Sequence, residues 1–128
     1  VVIEANTMVD MARTQIVPAV ESYVYDLTKT ATAKKALDAS ISCSYETALV
    51  KKLSVLVDRI AAKTEELDDA LLSLHDAENV TAESEMIRDR ILCLMSELRL
   101  PCDEAETITA KKYWPFPTYG DLLFGVQA

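Results

Sequence analysis

Glycine is what this chain most lacks. Its 128 residues include two, Gly120 and Gly125, and none precedes them. The tight turns that join hairpin strands favour positive φ, which leaves little room for a sheet of hairpins, and helices are expected. Histidine occurs once, at His75, and the three cysteines, Cys43, Cys93 and Cys102, form no CxxC pair. This inventory excludes a Cys/His zinc site, and also a di-iron bundle, which needs Glu-x-x-His on two helices. An odd, irregularly spaced set of thiols fits a reducing cytoplasm. Basic residues are scarce: 13 Lys and Arg stand against 21 Asp and Glu, a net charge of −8. That balance argues against a nucleic-acid surface and against anionic membranes. No apolar run reaches the ~18 residues of a membrane span, and no signal peptide is visible. Without a glycine-rich loop there is no phosphate cradle. Nor is there a Ser-His-Asp set, a paired catalytic carboxylate set or a nucleophile beside a base. The residues predict no catalytic, cofactor-binding or metal site in this chain alone.

What is present is enough for one domain. Half the residues are hydrophobic and about a quarter charged, which suffices for a core without disulfide or metal staples. A first helix is predicted over about 3–37, with the stripe Met8, Ala12, Ile16, Val20, Val24 and Leu27 at helical spacing. Asn6 or Thr7 caps it if it starts late. Pro18 lies inside the stripe and is expected to kink the rod near Ile16–Val17 without ending it. A Ser- and Asp-rich connector, 38–44, offers Ser42 or Ser44 as the next cap. The second helix, about 45–76, carries Leu49, Leu53, Leu56, Ile60, Lys63, Leu67, Ala70 and Leu74. That is a heptad seam with one polar slot, at Lys63. A connector over 77–83 with Thr81 as cap leads to a third helix, about 82–98, with the stripe Ile87, Ile91, Leu94 and Leu98. Pro101 is expected to break the run and open a short fourth helix, 101–110, whose first turns carry Asp103, Glu104 and Glu106. Short connectors between long helices predict an all-α, antiparallel up-down-up bundle of three long helices plus the short fourth.

Candidate chemistry inside the bundle is thin. His75, followed by Asp76, Ala77 and Glu78, reads as a solvated residue near a helix C-terminus, because those acids repel a phosphoryl group. The acids Glu65, Glu66, Asp68, Asp69, Asp76, Glu78, Glu83 and Glu85 read as a solvated face and loop, with no EF-hand spacing. Lys51-Lys52 and Arg88-Asp89-Arg90 read as surface clusters, with Arg88 able to pair with Glu85. Cys93 reads as a buried small residue beside Leu94, and Cys102 as partly exposed.

The tail, 111–128, is different. Of eight aromatic residues in the chain, five lie here: Tyr113, Trp114, Phe116, Tyr119 and Phe124. Pro115 and Pro117 predict an extended, polyproline-like course. That much apolar surface calls for a groove to lie in, at about 25 cal/mol per Å² removed from water. Gly120 permits a tight turn, and Asp121 caps a last short turn of Leu122, Leu123 and Phe124. These five rings are the candidate packing and docking residues, since Tyr and Trp favour interfaces.

Trp114-Pro115-Phe116-Pro117-Thr118-Tyr119-Gly120-Asp121-Leu122-Leu123-Phe124 resembles the C-terminal end of the type III glutamine synthetases. The opening, Ile3-Glu4-Ala5-Asn6-Thr7-Met8 through Ile16-Val17-Pro18-Ala19-Val20, resembles the segment that follows their catalytic part. The resemblance implies a helical C-terminal domain of an enzyme that joins ammonia to glutamate with ATP and divalent metal, assembled as double hexameric rings. It implies the catalytic domain of the same polypeptide and neighbouring subunits as partners, and a cytoplasmic setting. No catalytic residue of that family matches a position here. A first residue of Val1 rather than Met fits a piece of a longer polypeptide. The alternative is a free-standing module that binds a partner helix along the Leu49–Leu74 seam. A phosphotransfer bundle using His75 is a third reading.

Overall fold

A computed structural model describes residues 2–77 and 81–116, with backbone only at 81 and 82. Among the described residues it is all helical, with no strand. The first rod runs from α1 (Val2–Met11) through a π-helical turn (Ala12–Ile16) into α2 (Val17–Leu37). Then follow α3 (Ser44–Asp76), α4 (Thr81–Ile108) and a 3₁₀ turn (Lys111–Tyr113).

The π turn is how the rod passes Pro18. Pro18 has no N–H to give the Thr14 carbonyl, and its ring crowds that group. The turn before it widens by one residue, so that the Val17 N–H reaches the Ala12 carbonyl. The expected disturbance near Ile16–Val17 is therefore a π-bulge, and the apolar stripe continues beyond it. Ala5, Val9, Ala12, Ile16 and Val20 are buried along this face, with Met8, Val24 and Leu27 packed at its edge. Because the helix starts at Val2, Asn6 and Thr7 are interior residues rather than caps. Their side chains donate to the carbonyls one turn back, at Val2 and Ile3.

The connector folds on its own polar groups. Asp38 Oδ1 accepts from the Ser40 N–H (2.9 Å) and the Ser40 hydroxyl (2.7 Å). Ser42 Oγ accepts from the Ser44 N–H at 3.3 Å, at the start of α3. Across this connector the buried carboxylate of Glu46 accepts from Lys34 Nζ at 2.6 Å. The Lys34 hydrogen bond holds Glu46 below the usual carboxylate range, and the same bond holds Lys34 above the usual lysine range.

The predicted seam is the centre of the core. Leu53, Leu56, Ile60, Leu67, Ala70 and Leu74 are buried, joined by Leu71. The polar slot at Lys63 stands half-buried at the flank and donates to Glu97 at 2.7 Å, with Glu66 3.3 Å away. Thr64 takes the neighbouring buried position, its hydroxyl donating to the Ile60 carbonyl.

The sequence predicts a break at Pro101 and a separate helix over 101–110; the structure corrects this. α4 continues through Pro101 to Ile108. Ile91, Leu94, Leu98, Pro101 and Ala105 step by three and four along one buried face. Pro101 thus occupies a core position, and packing on both sides of it holds the helix together where the local rule alone would end it. Cys93 is likewise corrected. It is exposed, because a residue next to the inward-facing Leu94 lies about 100° round the helix.

Residues that meet across the rods run in opposite order. In the first rod Arg13 reaches Glu65 and Asp68 of α3, while Lys34 reaches Glu46. Between α3 and α4, Lys63 reaches Glu97, Glu66 lies 3.6 Å from Arg90, and Ser84 donates to the Ala77 carbonyl.

Candidate functional site

The tail leaves α4 through Ala110 and does not begin extended, as predicted. Lys111–Tyr113 close a 3₁₀ turn, with the Trp114 N–H on the Lys111 carbonyl, and the chain straightens only at Trp114 (φ −75°, ψ 124°). The turn aims Tyr113 at α2. Its ring lies 5.0 Å from that of Tyr23, and its hydroxyl donates to the Asp26 carboxylate. Bonding to that acid keeps the phenol protonated above the ordinary tyrosine range. Trp114 and Phe116 pack edge to face, ring centroids 6.5 Å apart, against the margin of the core.

These two rings form one wall of a cleft of about 250 Å³. The first rod contributes Met8, Met11 and Ile16, and α4 contributes Leu98 and Cys102. Arg99, Asp103 and Glu106 line the same cleft. The Cys102 thiol is pushed up to about 11, chiefly by burial and secondarily by the Asp103 charge. It is thus protonated at neutral pH and a poor nucleophile. An apolar cleft with two rings, adaptable methionines and mixed charge can hold an apolar side chain or helix face. It contains no acid–base pair poised for chemistry.

Of the five candidate rings, Trp114 and Phe116 come together beside the first rod and α4, while Tyr113 lies against Tyr23 and Asp26 of α2. Tyr119 and Phe124 lie outside the described residues, as do Gly120 and the turn predicted after it. Sequence reasoning missed the cleft's opposite wall. Met8, Ile16 and Leu98 stand in the predicted core stripes, while Met11 does not. The signal available was the i, i+3 pair Met8 and Met11 beside the core stripe.

The remaining candidates stay apart. His75 is exposed in the last turn of α3. Of the acidic series, Glu65 and Asp68 pair with Arg13, and Glu66 with Lys63 and Arg90. Among the described residues no group of three His, Cys, Asp or Glu is placed to hold a metal ion. No helix there is long and apolar enough to cross a membrane.

No family profile matches the chain, and no solved structure matches it. A curated relative does: over 132 aligned positions the chain is 33% identical to a glutamine synthetase of Butyrivibrio fibrisolvens. The alignment takes in 98% of this chain and 18% of that protein, so the chain is similar, along nearly all its length, to a part of a glutamine synthetase.

Proposed function

We propose that this chain is the helical C-terminal domain of a type III glutamine synthetase, an antiparallel up-down-up bundle with a structural, assembly or regulatory role. The observation that carries this reading is the match over 98% of the chain to a fraction of a much longer enzyme. The resemblance of the Trp114–Phe124 run to the end of the type III enzymes supports the C-terminal placement. The opposite order of the ion pairs along the rods supports the bundle. The parent enzyme ligates ammonia to glutamate in the cytoplasm, and its catalytic domain supplies the groups that hold ATP and divalent metal. This chain contributes packing surface, with Tyr113, Trp114 and Phe116 fastening the tail and part of their rim facing a neighbour.

The parent open reading frame tests this directly. Several hundred in-frame synthetase codons upstream of Val1 are expected, whereas a start codon beside Val1 overturns the reading in favour of a free-standing interaction module. The isolated chain is expected to form no glutamine from glutamate, ammonia and ATP; measurable product contradicts its assignment as non-catalytic.

A further inference from the structure

The run from Tyr113 to Phe116 is stiffer than its length suggests. Pro115 fixes its own φ and confines Trp114 to extended backbone, and the proline at 117 restricts Phe116 in the same way. Trp114 has that extended backbone, at φ −75° and ψ 124°. With few free torsions between them, Trp114 and Phe116 follow Tyr113 as one piece. Tyr113 itself stands outside the cleft that those two rings wall. It grips α2, with its ring 5.0 Å from Tyr23 and its hydroxyl donating to Asp26. The other walls come from Met8, Met11 and Ile16, which precede α2, and from α4. Anchor and cleft wall thus hold different parts of the bundle.

We infer that Tyr113 is a latch: its bond to Asp26 keeps Trp114 and Phe116 closed over the cleft, and releasing it opens the cleft and bares Cys102 while the bundle stays folded. The latch is built from described residues and does not depend on the proposed parentage. A hydrogen bond to an ionised acceptor is roughly twice as strong as a neutral one, and the same acid keeps the phenol protonated as donor. Asp26 is exposed, so the bond can open at the surface without disturbing the core. Trp114 and Phe116 are only half-buried, which leaves their place dependent on the anchor. α4 packs chiefly on α3, so the rods keep their contact when the strap lifts.

The three thiols report on this separately. Cys93 is exposed, Cys102 lines the cleft half-buried, and Cys43 is buried with its Sγ 3.3 Å from the Ala31 carbonyl. Burial is the first cause of the raised Cys102 pKa, so opening increases its exposure and its thiolate fraction together. Alkylation by iodoacetamide at neutral pH, read peptide by peptide by mass spectrometry in the full polypeptide that carries the chain, is the test. Tyr113→Phe keeps the ring and removes the hydroxyl, and Asp26→Ala removes the acceptor. In each, alkylation of Cys102 is expected to rise about tenfold over the unaltered protein, with Cys93 and Cys43 unchanged. Asp26→Asn retains an acceptor oxygen and is expected to stay within about threefold of the unaltered protein. An unchanged Cys102 rate in either Tyr113→Phe or Asp26→Ala overturns the inference, because the two rings then keep their place without the bond. So does a Cys43 rate that rises in step with Cys102, which marks general unfolding. An Asp26→Asn protein as reactive as Asp26→Ala overturns it as well.

Discussion

Single residues in the seam carry the stability of the fold, and their effects should rank by burial. Leu53 of α3 and Leu98 of α4 are almost fully buried. Leu53→Ala and Leu98→Ala are each expected to cost about 2–5 kcal/mol through lost transfer energy and the cavity left behind. Thermal or denaturant unfolding checks this, and Val55→Ala, on an exposed position of α3, is the neutral control. Glu46 is one source of acid sensitivity, together with Asp38, whose pKa is lowered by its bonds to Ser40. The Glu46 pKa is depressed by the Lys34 hydrogen bond, so its contribution is full above the ordinary carboxylate pKa and is lost as pH falls through the lower folded value. Melting temperature is expected to drop on acidification below about pH 4.3, and less steeply in Glu46→Gln. Tyr113 acts at the other end. Its phenol pKa is raised, first by the Asp26 bond, so its contribution holds below about pH 10 and fades as pH rises past the folded value. Tyr113→Phe is expected to flatten that alkaline loss in a pH series of melts.

The elements differ in how readily the sequence disclosed them. The α3 seam was plain because Leu49 through Leu74 repeat a spacing that only a helix can align. The polar slot at Lys63 was equally plain, but its partner Glu97 was not, since a separation of 34 residues leaves no local pattern. Pro101 misled because the rule for the residue before a proline is local, and it was outweighed by packing from Leu98 and Ala105 on either side. The tail's first three residues misled in a similar way. Pro115 and Pro117 stiffen only what adjoins them, leaving Lys111–Tyr113 free to turn. Pro101 itself can be measured. Pro101→Ala restores a helical hydrogen bond, worth part of the ~3 kcal/mol that proline costs inside a helix. It also gives up buried ring surface and unfolded-state rigidity. The net change in denaturant unfolding is expected to stay within about 1 kcal/mol, well below that of Leu98→Ala. Removing residues from Tyr113 onward takes away two half-buried rings at the core margin and the Tyr113–Asp26 bond. That truncation is expected to lower stability by about 3–5 kcal/mol, the scale of deleting packed aromatics; an unchanged melting temperature would refute the fastening role.

At the scale of the whole molecule, ion pairs span the rods. Arg13 with Glu65 and Asp68, Lys34 with Glu46, Lys63 with Glu97 and Arg90 with Glu66 tie the rods together. The cleft walled by Trp114 and Phe116 combines apolar side chains and mixed charge with a protonated thiol. The helical class was legible from the want of glycine alone, and the similarity to a part of a glutamine synthetase from the tail and the opening segment. The cleft between the first rod, α4 and the tail was not, because residues far apart in the chain line it. The central claim is that this domain is the appendage of a glutamine-forming enzyme whose chemistry lies elsewhere in the same polypeptide. Capture of the native protein with an antibody raised against the chain, followed by subunit mass and glutamine-synthesis assay of the eluate, measures that most directly. A subunit several times heavier than 14.2 kDa, forming glutamine from glutamate, ammonia and ATP, is the predicted result. A 14.2-kDa subunit without that activity would contradict it.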